Sequence, residues 1–586
     1  MAVFASAPAL VPNPSGLILT ELTLVNLLLA FAFWLYQGSR QGLSRWRHWQ
    51  PAVGGTTLAL LGSVYFSLAG NRLFWQAAMA GRDGGQWSTW GFAAALFVFL
   101  SAIHFVLLVP LMGRRTAKPV LALLVVVVGC ASFYMEKYGI YLDPSMLRNV
   151  LKTDVKEAGE LFTWSLLPHL ALVVGLPLLL LSRVRLPEAG LGRTLAIRAG
   201  SLLLALVLGG GAVFLVFQDF ASLMRNHKEI RYLITPANYL YSLARVLGSD
   251  ASAATRERQQ IGLDATLAPS WQTRKKPTLF VVVVGETARA ANWGLSGYAR
   301  QTTPQLAERD VINFAQVTSC GTNTEVSLPC MFSLQGRRNY DEDKIRGSES
   351  LLNVLERAGL RVLWRDNQSG CKGVCTGVEE HKVGNSKIPD LCDGDRCLDE
   401  VLLHGLDGIL ADTHGNLVLV LHQLGNHGPA YFKRYPPDFR KFEPVCETAD
   451  LAKCPREAVV NAYDNALLYT DHMLAQTIAF LKKQEEKFDT GMIYLSDHGE
   501  SLGENGLYLH GIPYSIAPKV QKEVPMVMWF SPSYAKNFSL DVDCLRAQAT
   551  RPVTHDHFFH SVLGLLDIRT TVYDRTMDIS QTCRPR

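Results

Sequence analysis

The first 220 residues contain six apolar runs, and this pattern limits the fold more than any other feature of the chain. The runs lie at about 17–36, 53–69, 91–112, 119–135, 166–181 and 201–217. A helix needs about 20 mostly apolar residues to cross a lipid bilayer. The pattern therefore predicts an α-helical transmembrane domain of about six helices over residues 1–219.

Basic residues cluster in alternate connections between these runs, at 40–47, 114–118 and 183–198. By the positive-inside rule, such connections lie in the cytoplasm. The N-terminus and everything after about residue 220 are then expected on the opposite side of the membrane. The formal net charge of +5 comes largely from these short loops, so no nucleic-acid partner is expected.

Ten of the eleven cysteines follow residue 300, and the first eight of these ten form four close couples. In a reducing cytosol such couples are more often metal clips, but beside a membrane domain they favour disulfides in an oxidising compartment such as the bacterial periplasm. The simplest hypothesis pairs neighbours, although the sequence does not establish connectivity. It joins Cys320 with Cys330, Cys371 with Cys375, Cys392 with Cys397, Cys446 with Cys454, and Cys544 with Cys583.

The remaining chain divides into two parts. Residues 220–270 mix aromatic, apolar and basic residues before turning polar, which predicts an amphipathic membrane-surface helix and a linker. Over residues 271–586, the apolar runs at 279–284, 360–364, 417–421, 492–495 and 524–530 are continuous rather than alternating. Such runs, separated by helical stretches, predict a mostly parallel sheet with its site at the carboxyl ends of the strands.

Side chains that can bind a metal follow several of these predicted strands. Glu286, His427, Asp497 and His498 come at or soon after the end of an apolar run, and His510 is close enough downstream to return. An isolated Asp-His pair is more often a structural pair than a metal site. Two carboxylates and three imidazoles at one sheet edge, however, suit one Zn²⁺ with room for a second.

A nucleophile is available in the segment TSCGTNTEVSLPCMFS, where Thr322, Asn323 and Thr324 precede a predicted helix start. Backbone N–H groups at a helix N-terminus favour a phosphate group. The commoner role of such a threonine is simply to cap the helix. Sulfatases carry a C/S-x-P-x-R motif, which the sequence lacks, so sulfate-ester hydrolysis is disfavoured.

The loop between the fourth and fifth apolar runs contains a polar trio. If this loop is helical, Asn149, Thr153 and Glu157 recur every four residues and share one face. In isolation, a solvated face is the commoner explanation. The alternative is a polar wall that faces a lipid headgroup.

Five long motifs together resemble one enzyme family. They are VVVVGETARAANWGLSGYARQTTP, TSCGTNTEVSLPCMFS, DNQSGCKGVC, NHGPAYFKRYPPDFRKFEP and YLSDHGESLGENGLYLHGIPY. The chain is similar, from about residue 53 onward, to the lipid A phosphoethanolamine transferases, which include the mobile colistin resistance enzymes. The resemblance implies an alkaline-phosphatase-like (sulfatase-like) periplasmic domain tethered to inner-membrane helices. Since the family has five such helices, the run at 17–36 would be an additional one.

The resemblance also implies roles for individual residues. It implies zinc ligands at Glu286, Thr324, Asp497 and His498, with Thr324 as the nucleophile. His427 and His510 match assisting histidines at the headgroup and second-metal position. Ser369 and Lys372 match donor contacts, as do Asn149, Thr153 and Glu157, so the resemblance favours the polar-wall interpretation.

The implied reaction takes phosphoethanolamine from phosphatidylethanolamine onto Thr324 and then onto a phosphate of lipid A. The cationic amine would weaken the binding of polymyxin and other cationic peptides. A monomer is expected. Three alternatives stay open at this point: a core-sugar or periplasmic-glucan acceptor, a phosphoglycerol transferase of the lipoteichoic-acid type, and a catalytically silent scaffold.

Overall fold

The computed structural model of the protein describes residues 50–584, except Asp154, Ala189, Arg256, Asp395 and the side chains of residues 252–255. The predicted first span at 17–36 and the basic residues at 40–47 lie outside the described residues. The chain forms two compact units. One contains the described residues up to Leu147 together with Thr163–Val246, and the other contains Arg148–Phe162 and the chain from Leu247 onward.

The first unit consists of apolar helices. Within the described residues, four segments are long and apolar enough to cross a membrane: Trp87–Leu111, Ala117–Tyr138, Leu166–Arg183 and Leu191–Leu215. Each covers most or all of one predicted run, and most of the run at 53–69 forms a shorter apolar helix, Gly55–Ala69. The helix Leu191–Leu215 packs against Trp87–Leu108.

Three further helices belong wholly or partly to this unit, namely Arg72–Met79, Phe217–Asn226 and Ala237–Thr255. The last two occupy the segment predicted to be an amphipathic helix and linker, separated by the 3₁₀ turn Lys228–Leu233. Their location at a membrane surface stays a prediction, as do the domain boundaries at residues 219 and 270.

The second unit is built on an eight-stranded sheet. The strands of this unit are β1 (Thr266–Leu267), β2 (Thr278–Gly285), β3 (Ile312–Thr318), β4 (Arg361–Asp366), β5 (Glu379–Lys382), β6 (Leu417–His422), β7 (Asp489–Ser496), β8 (Ser501–Leu502), β9 (Tyr508–Leu509), β10 (Glu523–Phe530), β11 (Val553–Thr554) and β12 (Ile568–Arg569). The order in the large sheet is β11-β3-β10-β7-β2-β6-β4-β5. All pairings in it are parallel except the two made by β10, so the predicted mostly parallel sheet is confirmed.

Helices cover this sheet because its central strands are apolar on both faces. Every residue of β2 is buried. Phe280, Val282 and Val284 share a core with the helices Leu351–Arg357 and Asp556–Leu565, whereas the 28-residue helix Arg456–Lys483 packs against β7. The other α-helices of the unit are Val155–Leu161, Pro304–Ala307, Thr324–Met331, Glu342–Arg346, Leu406–Ala411, Pro532–Asn537 and Val542–Gln548, and Pro144–Lys152 enters it at Arg148.

The register of the sheet sets the position of the site. In the β2–β7 pairing, Gly285 lies opposite Ser496. The next residue on each strand, Glu286 or Asp497, therefore leaves the sheet at the same level. This places two acidic side chains side by side at the carboxyl edge.

Five disulfides stabilise the second unit. They join Cys320 to Cys330, Cys371 to Cys375, Cys392 to Cys397, Cys446 to Cys454, and Cys544 to Cys583. The hypothesis of neighbour pairing is confirmed. Cys130, in a long apolar helix of the first unit, is free.

Candidate active site

Three ligand-type side chains meet at the carboxyl edge of β2 and β7. One ligand atom from each of Glu286, Asp497 and His498 lies within 4.8 Å of the other two, and all three residues are buried. The Nε2 atom of His498 is 3.3 Å from Glu286 Oε1 and 3.4 Å from Asp497 Oδ2. The cluster has the donor set of a divalent metal site.

One carboxylate oxygen that lacks a hydrogen-bond donor shows that these residues fit a cation. Asp497 Oδ1 accepts hydrogen bonds from the backbone N–H groups of Thr287 and His498, at 3.2 Å and 2.7 Å. Oδ2 of the same carboxylate is buried and accepts no hydrogen bond from the described residues. A buried carboxylate oxygen that accepts no hydrogen bond is costly, and a metal ion would satisfy it.

The pKa values of the two carboxylates also indicate a site for a cation. Burial raises the pKa of Asp497, and the nearby Glu286 raises it further. Burial also opposes ionisation of Glu286, but the hydrogen bond and charge of His498 outweigh it and lower the pKa of Glu286. Two carboxylates that compete for one imidazolium would both be ionised beside a divalent cation.

Thr324 lies against this cluster. Its Oγ1 is 3.2 Å and 3.1 Å from the two oxygens of Glu286 and 3.3 Å from His498 Nε2. Thr324 is the first residue of the helix Thr324–Met331, and the side chain of Asn323 caps that helix by accepting from Val326 N. Thr324 is therefore not the capping residue, and its hydroxyl is directed at the acidic cluster.

Thr322, the other threonine of this turn, has a different environment. Its Oγ1 donates to the carbonyl of Ile512 at 2.7 Å. This bond ties the turn to the segment that follows His510. Thr322 is therefore a structural anchor.

His427 and His510 lie beside the cluster. The ring of His510 has its centroid 4.4 Å from that of His498 and 5.5 Å from that of His427. His427 Nε2 is 3.1 Å from Glu157 Oε1, and His510 Nδ1 is 3.3 Å from Glu500 Oε1. The structure thus brings three imidazoles into one group, each with an acidic neighbour.

The pKa values of the two outer imidazoles are shifted in opposite directions. Burial lowers the pKa of His427, but the ion pair with Glu157 outweighs it and raises the pKa above its usual value. Burial likewise opposes ionisation of Glu157, yet His427 and Lys372 lower its pKa to about 2. For His510, burial dominates and lowers the pKa despite Glu500. The raised pKa suits His427 to give a proton, and the lowered pKa suits His510 to accept one.

The loop after β4 carries the predicted donor contacts. Lys372 Nζ donates to Ser369 Oγ at 2.7 Å and lies 3.9 Å from Glu325. Gln368, which the sequence did not single out, donates to Glu286 Oε2 at 3.1 Å. Through Gln368, this loop is joined directly to the acidic cluster.

The predicted polar trio is only partly brought together. The helices Pro144–Lys152 and Val155–Leu161 are separate, so the three residues do not share one continuous helical face. Thr153 Oγ1 donates to the Asn149 carbonyl, within its own turn, whereas Glu157 contacts His427. Glu157 is thus the member of the trio joined to the imidazole group.

Two buried ion-pair groups near the site were not predicted. Asp366 and His422 bond at 2.8 Å, with Trp364 Nε1 donating to the same carboxylate. Glu160 pairs with Arg434 and Arg396. Their partners are far apart in sequence and follow no recurring spacing, so no local pattern indicates them.

Comparisons with known proteins show the family of the chain. Residues 278–568 match the sulfatase family model, and residues 100–251 match the model for phosphoethanolamine transferases EptA/EptB. The chain is 41% identical to the Escherichia coli K12 phosphoethanolamine transferase EptA over 469 residues, which cover 80% of this chain and 86% of that protein. The chain belongs to the EptA family of phosphoethanolamine transferases.

Other EptA-family proteins extend the match. The phosphatidylethanolamine transferase Mcr-1 of Escherichia coli is 40% identical over 475 residues, covering 79% of this chain and 86% of Mcr-1. The solved integral membrane lipooligosaccharide phosphoethanolamine transferase EptA of Neisseria meningitidis superposes with a TM-score of 0.85 at 36% identity. That match covers 92% of this chain and 100% of the Neisseria chain, so it includes both the apolar helices and the sulfatase-like domain.

Proposed function

We propose that this phosphoethanolamine transferase moves phosphoethanolamine from phosphatidylethanolamine to phosphate groups of lipid A, through a covalent intermediate on Thr324. One observation carries the proposal. The Thr324 hydroxyl stands at a helix N-terminus and within 3.3 Å of Glu286 and His498. A hydroxyl at such a position is suited to attack a phosphate group.

Glu286, Asp497, His498 and Thr324 would hold the metal, and we propose one Zn²⁺ ion, with room for a second beside His427 and His510. When bound, zinc supplies positive charge that makes a hydroxyl more acidic and a phosphoryl group more electrophilic. The donor set supports this assignment, and so does the Asp497 oxygen that accepts no hydrogen bond.

In the first half-reaction, Thr324 Oγ1 forms a bond to phosphorus while the bond to the glyceryl oxygen breaks. The hydroxyl of Thr324 is hydrogen-bonded to Glu286, and His510, which is neutral because burial lowers its pKa, is proposed to take up the proton of this hydroxyl. His427 holds a proton because Glu157 raises its pKa, and it donates this proton to the departing diacylglycerol. Ser369, Lys372, Asn149, Thr153 and Glu157 are proposed to hold the donor headgroup.

In the second half-reaction, a phosphate oxygen of lipid A attacks the same phosphorus and restores the Thr324 hydroxyl. His510 returns its proton to Thr324 Oγ1 as the bond from Oγ1 to phosphorus breaks, and the proton that the entering phosphate group gives up restores His427. The product carries an added amine. The outer membrane then has less negative charge, so polymyxin and similar cationic peptides bind it less strongly.

We further propose that the protein is a monomer in the bacterial inner membrane, with its second unit in the periplasm. The long apolar helices of the first unit support the membrane location. Five disulfides in the second unit support an oxidising compartment for the site.

The decisive experiment is mass spectrometry of the peptide that contains Cys320 to Cys330, after incubation of the zinc-loaded protein with phosphatidylethanolamine and no acceptor. A phosphoethanolamine adduct on Thr324 is expected, and Thr324→Ala should lose it. Thr322→Ala is the matched control, because that hydroxyl bonds to Ile512 and not to the acidic cluster.

The acceptor is tested separately in cells by mass spectrometry of lipid A. Expression of the protein should add phosphoethanolamine to lipid A, and Thr324→Ala should not. An adduct on Thr324 with unchanged lipid A would instead direct the search to the lipopolysaccharide core sugars or a periplasmic glucan. An adduct formed only with phosphatidylglycerol would contradict the proposed donor.

A further inference from the structure

A buried ion-pair group lies next to the backbone of His427. Arg434 Nη1 and Nη2 both donate to the Glu160 carboxylate, the former at 3.3 Å. Arg396 Nε lies 3.0 Å from Glu160 Oε1. The Arg434 side chain is fully buried and that of Glu160 is 5% exposed, so this group is shielded from solvent.

Arg434 has a second contact that ties it to the site. Its Nε donates to the backbone carbonyl of His427 at 2.6 Å. One guanidinium therefore bonds to Glu160 with its two terminal nitrogens and to His427 with the third. The planar, fixed geometry of a guanidinium makes such a bridge rigid.

Glu157 and Glu160 belong to the same short helix, Val155–Leu161. Residues three apart lie on the same side of a helix. Glu157 reaches the imidazole of His427 at 3.1 Å, while Glu160 reaches its carbonyl through Arg434. The helix is thus attached to His427 at two points, one on the side chain and one on the backbone.

A purely stabilising ion pair would not need this arrangement. Burying a carboxylate between two guanidinium groups is costly and often contributes little net stability. The arrangement does fix the distance between the helix that carries Glu157 and the loop that carries His427. The separation of these two side chains matters because both face the same end of the site.

We propose that Arg434 and Glu160 are positioning residues for donor binding, which hold Glu157 against His427 so that the two receive the phosphoethanolamine headgroup. The proposal rests on the proposed function. Neither residue touches the reacting atoms, and both act through the Glu157–His427 pair. Their loss should therefore weaken donor binding more than it slows the chemical step.

The test is single-turnover formation of the Thr324 adduct by the full-length, zinc-loaded protein, measured against phosphatidylethanolamine concentration. Glu160→Gln and Arg434→Lys are each expected to raise the half-saturating donor concentration about ten-fold, with a smaller change in the maximal rate. Glu379→Gln is the matched control, since it breaks an ion pair with Arg361 whose side chains are 38% and 40% exposed. An unchanged half-saturating concentration in both variants overturns the proposal.

A double-mutant cycle separates positioning from a merely structural role. If Glu160 acts through Glu157, then Glu160→Gln should add nothing in a Glu157→Gln background. Effects that multiply in the double variant overturn the proposal. Where Glu160→Gln lowers the unfolding temperature below that of the assay, Glu160→Asp keeps the charge and is expected to unfold nearer to the wild type while still binding donor more weakly.

The same measurement distinguishes a failure of the proposed function from a failure of the positioning role. A wild-type protein that forms no adduct contradicts the proposed function itself. A wild-type protein that forms the adduct, with Glu160→Gln and Arg434→Lys equal to it in donor dependence, contradicts only the positioning role.

Discussion

Gly425 lies directly against the backbone of Glu286. A Cβ atom at Gly425 would be 2.7 Å from the Glu286 carbonyl oxygen, and the backbone φ of Gly425 is +54°. Asn426 N donates to this same carbonyl oxygen at 3.0 Å. The loop after β6 therefore supports the residue that ends β2, and it can do so only where no side chain intervenes.

Replacing Gly425 by alanine should displace Glu286 and weaken metal binding. We expect a loss of about 10-fold or more in zinc affinity, similar to losses on altering groups that support metal ligands. Zinc titration of the purified protein measures it. Gly405→Ala is the control, because Gly405 also has a positive φ, +76°, but its Cβ would have open space. Equal losses of affinity in both variants would attribute the effect to backbone strain alone.

Metal removal and the Asp497→Asn substitution should have opposite effects on stability. A cation whose free concentration is 100 times its dissociation constant stabilises the fold by about 2.7 kcal/mol. Chelation should therefore lower the unfolding temperature of the wild type. Without metal, Asp497→Asn removes a carboxylate that Glu286 repels, so this variant should unfold at or above the temperature of the metal-free wild type.

Calorimetry with and without zinc measures both effects. Asp471→Asn is the matched buried control, since Asp471 accepts from the backbone N–H groups of Gln305 and Leu306. That variant should keep the zinc-dependent increase in unfolding temperature. A zinc-dependent increase that persists unchanged in Asp497→Asn would contradict the assigned ligand.

The Glu157–His427 pair should make donor binding depend on pH. The pKa of Glu157 is lowered to about 2, so its charge is present above the ordinary carboxyl pKa of about 4.5 and is lost only as pH falls toward 2. The pKa of His427 is raised, so its charge is fully present below about 6.5 and is lost as pH rises through the raised value. Donor affinity should therefore fall as the pH rises through this raised pKa.

The Glu157→Gln variant tests the cause of this pH dependence. Removing the carboxylate removes the charge that raises the pKa of His427. The pH at which donor affinity changes should therefore shift downward in the variant, as measured by half-saturation of adduct formation between pH 6 and 9. The same transition pH in both proteins would show that another group titrates.

Removing Cys544–Cys583 should mainly lower stability, whereas removing Cys320–Cys330 should mainly slow adduct formation. In the chain-entropy model, removing Cys544–Cys583, with a separation of 39 residues, costs about 4 kcal/mol, and removing Cys320–Cys330, with a separation of 10, costs about 3 kcal/mol. Thr324 lies inside the shorter loop. The Cys320→Ser/Cys330→Ser variant should therefore slow adduct formation more strongly, although it loses less stability.

Denaturant unfolding and single-turnover kinetics on the two double variants check this prediction. The Cys544→Ser/Cys583→Ser variant serves as the kinetic control. If it slowed adduct formation as much as the other variant, general destabilisation would explain both results.

The central sheet was predictable from sequence because its strands are buried on both faces. The runs that became β2, β6, β7 and β10 are continuously apolar, which distinguishes them from half-exposed strands, and the run of β4 is interrupted only by Arg361. The edge strand β5, Glu379–Lys382, consists entirely of charged residues, so no hydrophobic pattern indicates it. The antiparallel direction of β10 was also not predictable, since a buried strand has the same composition in either direction.

The acidic cluster could be anticipated for a similar reason, since each of its members follows the end of a predicted strand or begins a predicted helix. The group around Glu160 could not. Its segment, VKEAGEL, has the composition of a solvated helix, and its partner Arg434 is 274 residues away. Only the tertiary fold places a charged residue of this kind in a buried position beside His427.

Because Gly285 pairs with Ser496, activity depends on the number of residues in β2 and in β7. Aliphatic residues of β2 and β7 could be replaced by other aliphatic residues, and Glu286 would still lie beside Asp497. Deletion of a single codon within either strand would shift one of these residues by one position and turn its side chain to the opposite face. Substitutions in these strands are thus tolerable changes of sequence, whereas a single in-frame indel is expected to give a folded but inactive product.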